Sequence, residues 1–482
     1  MQTNASQDSR LSSYKLSASI LLFFICLGLF LNDIFKGFWD HDSGFYFMQS
    51  SMMANGLKPY IDFSTIYPPI YNAINAIPIY LGIDRWLLIW LIPFLWVTAT
   101  SGLSYLYWKK CFPKQASHWP WLVAALFPLF CIDFGGNHNT LELGVVCFGV
   151  GALVMSQENG NKASFFTGTL IGLAFLSKQV GILLLLPFLS QCRTRRSSLA
   201  LLAGTSSSIV LTLAWLNFDT QAILQSYTLL QSYVAQGSSS SMVNTLFDFA
   251  IVIYIDIFRT PPGIFFFVFI FAITCIAGFT TLKQKQYRQF AWIFSWFIVC
   301  ICFLGARAIN NFPHYTLNCW PAILALLAAA LPHVNPKLLK TLAITNFSLA
   351  SLFLVFFYPK INALPYSDGR YFARWADKSE ISEFLYPVAM ELKKHIPANA
   401  SIAQIGTEEN VLLFLADRMQ INKNWMPDTR KNPIVGDYII FTDDGSSDSS
   451  RLAMNILGSG YEVARLYQFK NRRIALFVKK TS

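Results

Sequence analysis

The apolar residues of this chain fall in blocks close to the ~20 residues that an α-helix needs to cross a bilayer, separated by short loops rich in Lys and Arg. In hydrocarbon every backbone N–H and C=O must find its partner within the chain, so each such block reads as a helix. Charged residues make up 13% of the 482, about half the roughly 25% of soluble globular chains. The fold class that follows is a polytopic α-helical membrane protein.

Loop charge sets the order of the spans. Arg10 and Lys15 precede the apolar run 16–32, which leads into Asn32 and Asp33 and not into a small-residue cleavage site. It reads as an uncleaved first span with a cytoplasmic N-terminus. The next convincing span, 86–108, is followed by Lys109, Lys110 and Lys114. For those lysines to be cytoplasmic, the short apolar stretch 70–83 must stay outside as a surface helix. That register puts Lys162, then Arg193, Arg195 and Arg196, then Lys283, Lys285 and Arg288, then Lys337 and Lys340 on the same side, as the positive-inside rule requires. The further spans are 119–134, 140–156, 163–177, 179–190, 198–216, 262–282, 289–305, 315–331 and 341–358, about eleven in all. Between 217 and 262 the serine run Ser238–Ser241 and the amphipathic piece 242–258 read as an outer loop with a surface helix.

After Tyr358 the composition changes: 359–482 holds seventeen Lys/Arg and fourteen of the 26 acids. Asp377 and Glu380 have capping-box spacing, for a helix that Pro387 interrupts. Strands are expected at 401–406 and 437–442, helices at 408–416 and 450–457, and a hairpin over 461–469 and 472–479. The domains are therefore 1–358, transmembrane with an outer loop over 33–85, and 359–482, a small extracytoplasmic soluble α/β domain. A net charge of +11 would suit nucleic acid, but the basic residues lie in the membrane loops, which argues against that partner. The nine cysteines include no C-x-x-C pair, so neither a disulfide framework nor a zinc site is implied.

The outer loop is where chemistry is expected. It carries Asp40, His41, Asp42 and Lys58. Residues 42–55 read as a surface helix ended by Gly56, followed by an extended piece and then Pro68-Pro69 opening a second helix. The same register brings Arg85, His138, Glu142, Lys178, Arg259, Arg307 and His314 to the outer level. Ionisable groups are costly at a membrane. A ring of them at one face suits a charged, lipid-anchored substrate.

Four motifs in order resemble the GT-C superfamily of glycosyltransferases that use polyprenyl-phosphate sugars. Within it they are similar to the family 39-like branch of protein mannosyltransferases and lipid A aminoarabinose transferases. The motifs are D-S-G-F-Y at 42–46, Y-P-P-I at 67–70, G-L-A-F-L-S-K-Q-V-G at 172–181 and R-A-I-N-N-F-P-H-Y-T-L-N-C-W-P-A at 307–322. The resemblance implies an inverting transfer to a lipid, glycan or protein acceptor. Asp42 matches the family's base, with Asp40 ranked second. Lys178 and Arg307 match cations that would meet the leaving phosphate, and His314 and Tyr315 would bond the phosphate or the sugar. Tyr67 stands where the family often has lysine before its proline pair, leaving Lys58 or Arg259 to replace that contact. Asn139 stands where an acid is expected. Glu142, one turn later, would take its place beside the acceptor or a divalent cation. The resemblance also implies a multi-pass protein of a bacterial plasma membrane with its C-terminal domain outside.

Simpler readings of the same residues are that Asp42 only caps a helix and that Lys178 snorkels to headgroups. The competing function is a lipid-linked sugar transporter or flippase without catalysis. Transporters usually carry repeats and midplane charges, whereas here no repeat is visible. A scaffold presenting the tail would leave the outer charges without a role.

Overall fold

The computed structural model describes residues 3–36, 41–63, 65, 67–115, 117–135, 140–225, 228, 261–310, 313–333, 384–405, 409–418, 436–443, 447–469 and 472–480. The helices are α1 (Thr3–Lys36), α2 (His41–Ala54), α3 (Ile70–Tyr80), α4 (Arg85–Cys111), α5 (His118–Gly135), α6 (Leu141–Ser156) and α7 (Asn161–Ser177). After the 3-10 helix Gln179–Leu184 come α8 (Leu185–Gln191), α9 (Arg195–Trp215), α10 (Pro261–Lys283) and α11 (Tyr287–Asn310). A second 3-10 helix, Pro313–Cys319, leads into α12 (Trp320–Ala330).

Among the described residues, Ser13–Leu31, Arg85–Cys111 and Arg195–Trp215 are long and apolar enough to cross a membrane. Shorter apolar helices lie at His118–Cys131, Leu141–Ser156, Gln179–Gln191, Tyr287–Phe303 and Thr316–Ala330. The expected span 179–190 is thus a short broken element, and 315–331 begins as a 3-10 turn. The expected span 341–358 and surface helix 242–258 lie outside the described residues.

Local sequence explains the ends of these helices. Asp84 caps α4, its carboxylate accepting from the N–H groups of Trp86 at 3.0 Å and Leu87 at 3.2 Å, two donors that a helix start leaves unmet. Thr194 and Ser197 form a reciprocal capping box at the start of α9. Large apolar side chains remain exposed along α1 (Leu21, Phe24) and α9 (Leu202, Leu211), as expected of faces that meet lipid.

Helices α7 and α9 meet through small residues. A Cβ on Gly168 would lie 1.9 Å from the Leu201 carbonyl oxygen, and one on Gly204 2.0 Å from that of Phe165. The close approach lets the Thr205 hydroxyl donate to the Gly168 carbonyl and the Ser208 hydroxyl to that of Thr169, each at 3.1 Å. Packing of this small-residue kind drives association in lipid, where no hydrophobic force acts between helices.

The C-terminal region holds α13 (Tyr386–His395), α14 (Glu409–Leu415), α15 (Ser447–Gly458) and strands β1 (Ile402–Ile405), β2 (Tyr438–Asp443), β3 (Tyr461–Phe469) and β4 (Arg472–Lys479). The sheet order is β1-β2-β4-β3, with β1 parallel to β2 and the other pairs antiparallel. Alternation gives the sheet two apolar faces. Ile439, Phe441, Ala475 and Phe477 pack with Ile456 of α15, while Ile402, Ile440, Ile474 and Leu476 join the core of the helical bundle. Pro387 stands in the first turn of α13, where its missing N–H costs little, directly after a wider helical turn at Phe384 and Leu385. Asp377 and Glu380 lie outside the described residues.

Replacing Gly168 with Val should cost at least about 1–3 kcal/mol, the usual cost of overpacking. The same change at Gly160, where no atom crowds the Cβ but φ is +106°, should cost less. Thermal unfolding of the purified variants in detergent measures the difference.

Candidate functional site

The site is built at one end of the hairpin that α6 and α7 form. The two helices run antiparallel about the turn at Gly160, so the first turn of α6 and the end of α7 come level. Glu142 is in that first turn. Lys178 ends α7 in an extended conformation, its N–H still donating to the Ala174 carbonyl at 3.1 Å. Both positions suit the helix dipoles, an acid at an N-terminus and a cation at a C-terminus.

The Lys178 ammonium donates directly to a Glu142 carboxylate oxygen, in an ion pair whose side chains are 5% and 0% exposed. Gly144 permits the contact between the helices. A Cβ there would lie 2.8 Å from Ser177 Oγ and 3.0 Å from Tyr71 Cδ2. Two buried charges are tolerable only together, since breaking such a pair costs about 3–5 kcal/mol. Snorkelling of Lys178 is therefore not observed. Glu142, expected beside an acceptor or a metal, is engaged by this lysine.

Tyr67 completes the group. Its ring centroid lies 5.7 Å from the Lys178 ammonium nitrogen, within cation–π range. Its carbonyl accepts from the Tyr60 hydroxyl at 2.8 Å, which ties down the turn before Pro68. The ring also meets Tyr46 of α2 edge-on at 5.9 Å, and Tyr71 stacks on Trp96 at 5.2 Å. The tyrosine before the proline pair thus lies against a cation. Burial raises the Tyr71 phenol above its usual range, and the nearby Glu142 carboxylate pushes it the same way. Tyr71 therefore stays neutral.

Asp42 stands in the first turn of α2. Arg307 lies near the end of α11, and His314 and Tyr315 fall in the 3-10 helix that follows. Asp40, Arg259, His138 and Asn139 lie outside the described residues. The Lys58 ammonium donates to Asn217 Oδ1 at 3.2 Å and its N–H to Asp62 at 2.7 Å. Among the described residues, no three His, Cys, Asp or Glu side chains gather as a metal site.

Helix α2 is held from two sides, by α3 and by α14 of the C-terminal region. Asn72 donates to Gln49 at 2.6 Å on the α3 side. On the other, Phe47 stacks on Phe414 at 4.8 Å. The Arg85 guanidinium lies 5.1 Å from the Phe414 ring centroid and bonds Asp417 at 2.7 Å. Arg418 is buried and donates to the carbonyls of Ile396, Lys393 and Asp417 at 2.7, 2.6 and 2.9 Å. It joins α14 to the end of α13. Motif reading singled out neither Gly144 nor Arg418. One signal for the ion pair was present: Glu142 and Lys178 are equally distant in sequence from Gly160.

Arg418→Ala should cost about 2–4 kcal/mol, because buried carbonyls lose charged donors. Asp417→Ala, at a half-exposed pair, should cost about 1 kcal/mol or less. Thermal unfolding of the two variants checks the ranking.

No protein-family model and no curated protein matches this chain. Solved structures do. ArnT from Cupriavidus metallidurans bound to undecaprenyl phosphate superposes with a TM-score of 0.59 at 15% identity, covering 96% of this chain and 97% of that one. The apo form of the same protein gives 0.58 at 14% identity, with 98% of each chain covered. At this identity the likeness is one of fold, and it extends over nearly the whole length of both chains.

Proposed function

We propose that this chain is an integral-membrane glycosyltransferase that moves a sugar from a polyprenyl-phosphate donor to an acceptor at the outer face, with inversion. The observation that carries the reading is the near full-length fold shared with ArnT, a protein seen with undecaprenyl phosphate bound. The sequence motifs and the gathering of Lys178, Glu142 and Tyr67 at one end of the bundle support it. The acceptor is a lipid, a glycan or a protein.

In this mechanism the Asp42 carboxylate takes a proton from the acceptor. The acceptor atom forms a bond to sugar C1 from the face opposite the phosphate. The C1–oxygen bond breaks with its electron pair going to the lipid phosphate, which gains a negative charge. Lys178 and Arg307 supply the positive charge that meets it, as catalysis of such departures requires. His314 and Tyr315 orient the phosphate or the sugar. Asp40 is the second candidate base, and Arg259 the candidate second phosphate contact. Tyr67 packs against Lys178 and so acts on the phosphate through it.

Comparing surface lipids and glycans of a deletion strain by mass spectrometry would identify the acceptor. With acceptor and donor in hand, Asp42→Asn should lower kcat by about 10²–10⁴, the usual contribution of a general base, while the variant inserts and unfolds like the parent. Parental turnover in that variant would remove Asp42 from the role.

A further inference from the structure

The pairing of Glu142 with Lys178 has a consequence for a protein that must bind and release an anion. A buried ammonium attracts any anion that reaches it, and here a carboxylate of the same chain already occupies it. We propose that Glu142 is a built-in competitor for the Lys178 ammonium, which sets donor affinity and drives release of the lipid phosphate. This inference rests on the glycosyltransferase reading and adds an exchange of anions to it.

Lys178 donates to Glu142, so each buried charge lies beside its opposite. An incoming phosphodiester, carrying one negative charge, takes the ammonium and displaces the carboxylate. No covalent bond changes in that exchange. After transfer the lipid bears a phosphomonoester, which is more strongly charged and would hold a bare lysine more tightly than the donor did. The carboxylate returning to Lys178 opposes that grip.

The geometry suits such an exchange. Glu142 reaches the lysine from the first turn of α6, and Lys178 ends α7 in extended backbone. The pair therefore joins the start of α6 to the end of α7. The Tyr67 ring lies beside the ammonium and offers the cation an uncharged neighbour during the exchange.

The size of the effect follows from the fraction of time the lysine is open. A ligand that needs a state populated about one time in ten binds about tenfold more weakly than to that state alone.

The test uses the purified full-length protein in nanodiscs and measures equilibrium binding and chase-induced dissociation of radiolabelled undecaprenyl phosphate. Glu142→Gln removes the charge and keeps the shape; because it leaves Lys178 without its counter-charge, binding is compared on preparations that thermal unfolding shows to be folded. It should bind at least about tenfold more tightly and release the lipid correspondingly more slowly. Glu142→Asp keeps the charge and should restore affinity toward that of the parent. Lys178→Gln should bind more weakly, and adding Glu142→Gln to it should change nothing further. That loss of the gain in the double variant is the signature of competition at one lysine.

Equal or weaker binding by Glu142→Gln, or equal tightening by Glu142→Asp, would overturn the inference. So would a gain from Glu142→Gln that survives in the Lys178→Gln background. If the parent protein itself fails to bind undecaprenyl phosphate, it is the glycosyltransferase reading that falls, a result separable from the others.

Discussion

The ion pair between Glu142 and Lys178 organises the end of the bundle around it. Each charge is excluded from water, so each is tolerable only because the other is present. That requirement reaches into the backbone: α6 and α7 must start and stop at the same level, and Gly144 must leave room for Ser177 and Tyr71. It also reaches into the segment between α2 and α3. Tyr67 lies beside the ammonium, and Tyr46 and Tyr71 bring α2 and α3 into the same aromatic wall. A polar pair buried among rings marks this place as different from the lipid-facing surface of α1 and α9.

The C-terminal region is part of the same construction. One face of its sheet joins the main core, and α14 lies against α2 through Phe414 and Phe47. Arg85 reaches from the start of α4 to both Phe414 and Asp417. The helix whose first turn carries Asp42 is therefore clamped between α3 and a segment more than three hundred residues later in the chain. A side chain placed at a helix start needs such support if its position is to be reproducible.

Much of this was legible in the sequence, for identifiable reasons. Alternating charge kept 70–83 out of the count of spans, and α3 is the short helix that results. The strands expected at 437–442 and 472–479 are β2 and β4, which pair as neighbours. Lys178, Glu142 and Tyr67 were singled out one at a time, by motif position and by departure from a motif. Their meeting was not legible, because a motif fixes spacing along one segment and the ion pair spans two helices and a loop. The break at 179–184 was missed because an apolar run has the same composition whether it forms an α-helix or a 3-10 turn. Arg418 was missed for a related reason: a lone arginine in a polar tail gives no sign that it will cap two helix ends.

Two proposals meet at Lys178: that it is the phosphate's cation, and that Glu142 holds it when no phosphate is bound. A structure of the full-length protein with undecaprenyl phosphate bound tests both parts at once. The phosphate is expected within hydrogen-bond distance of the Lys178 ammonium, with the Glu142 carboxylate turned away from it. A phosphate bound elsewhere, with the Glu142–Lys178 pair intact, would contradict both proposals.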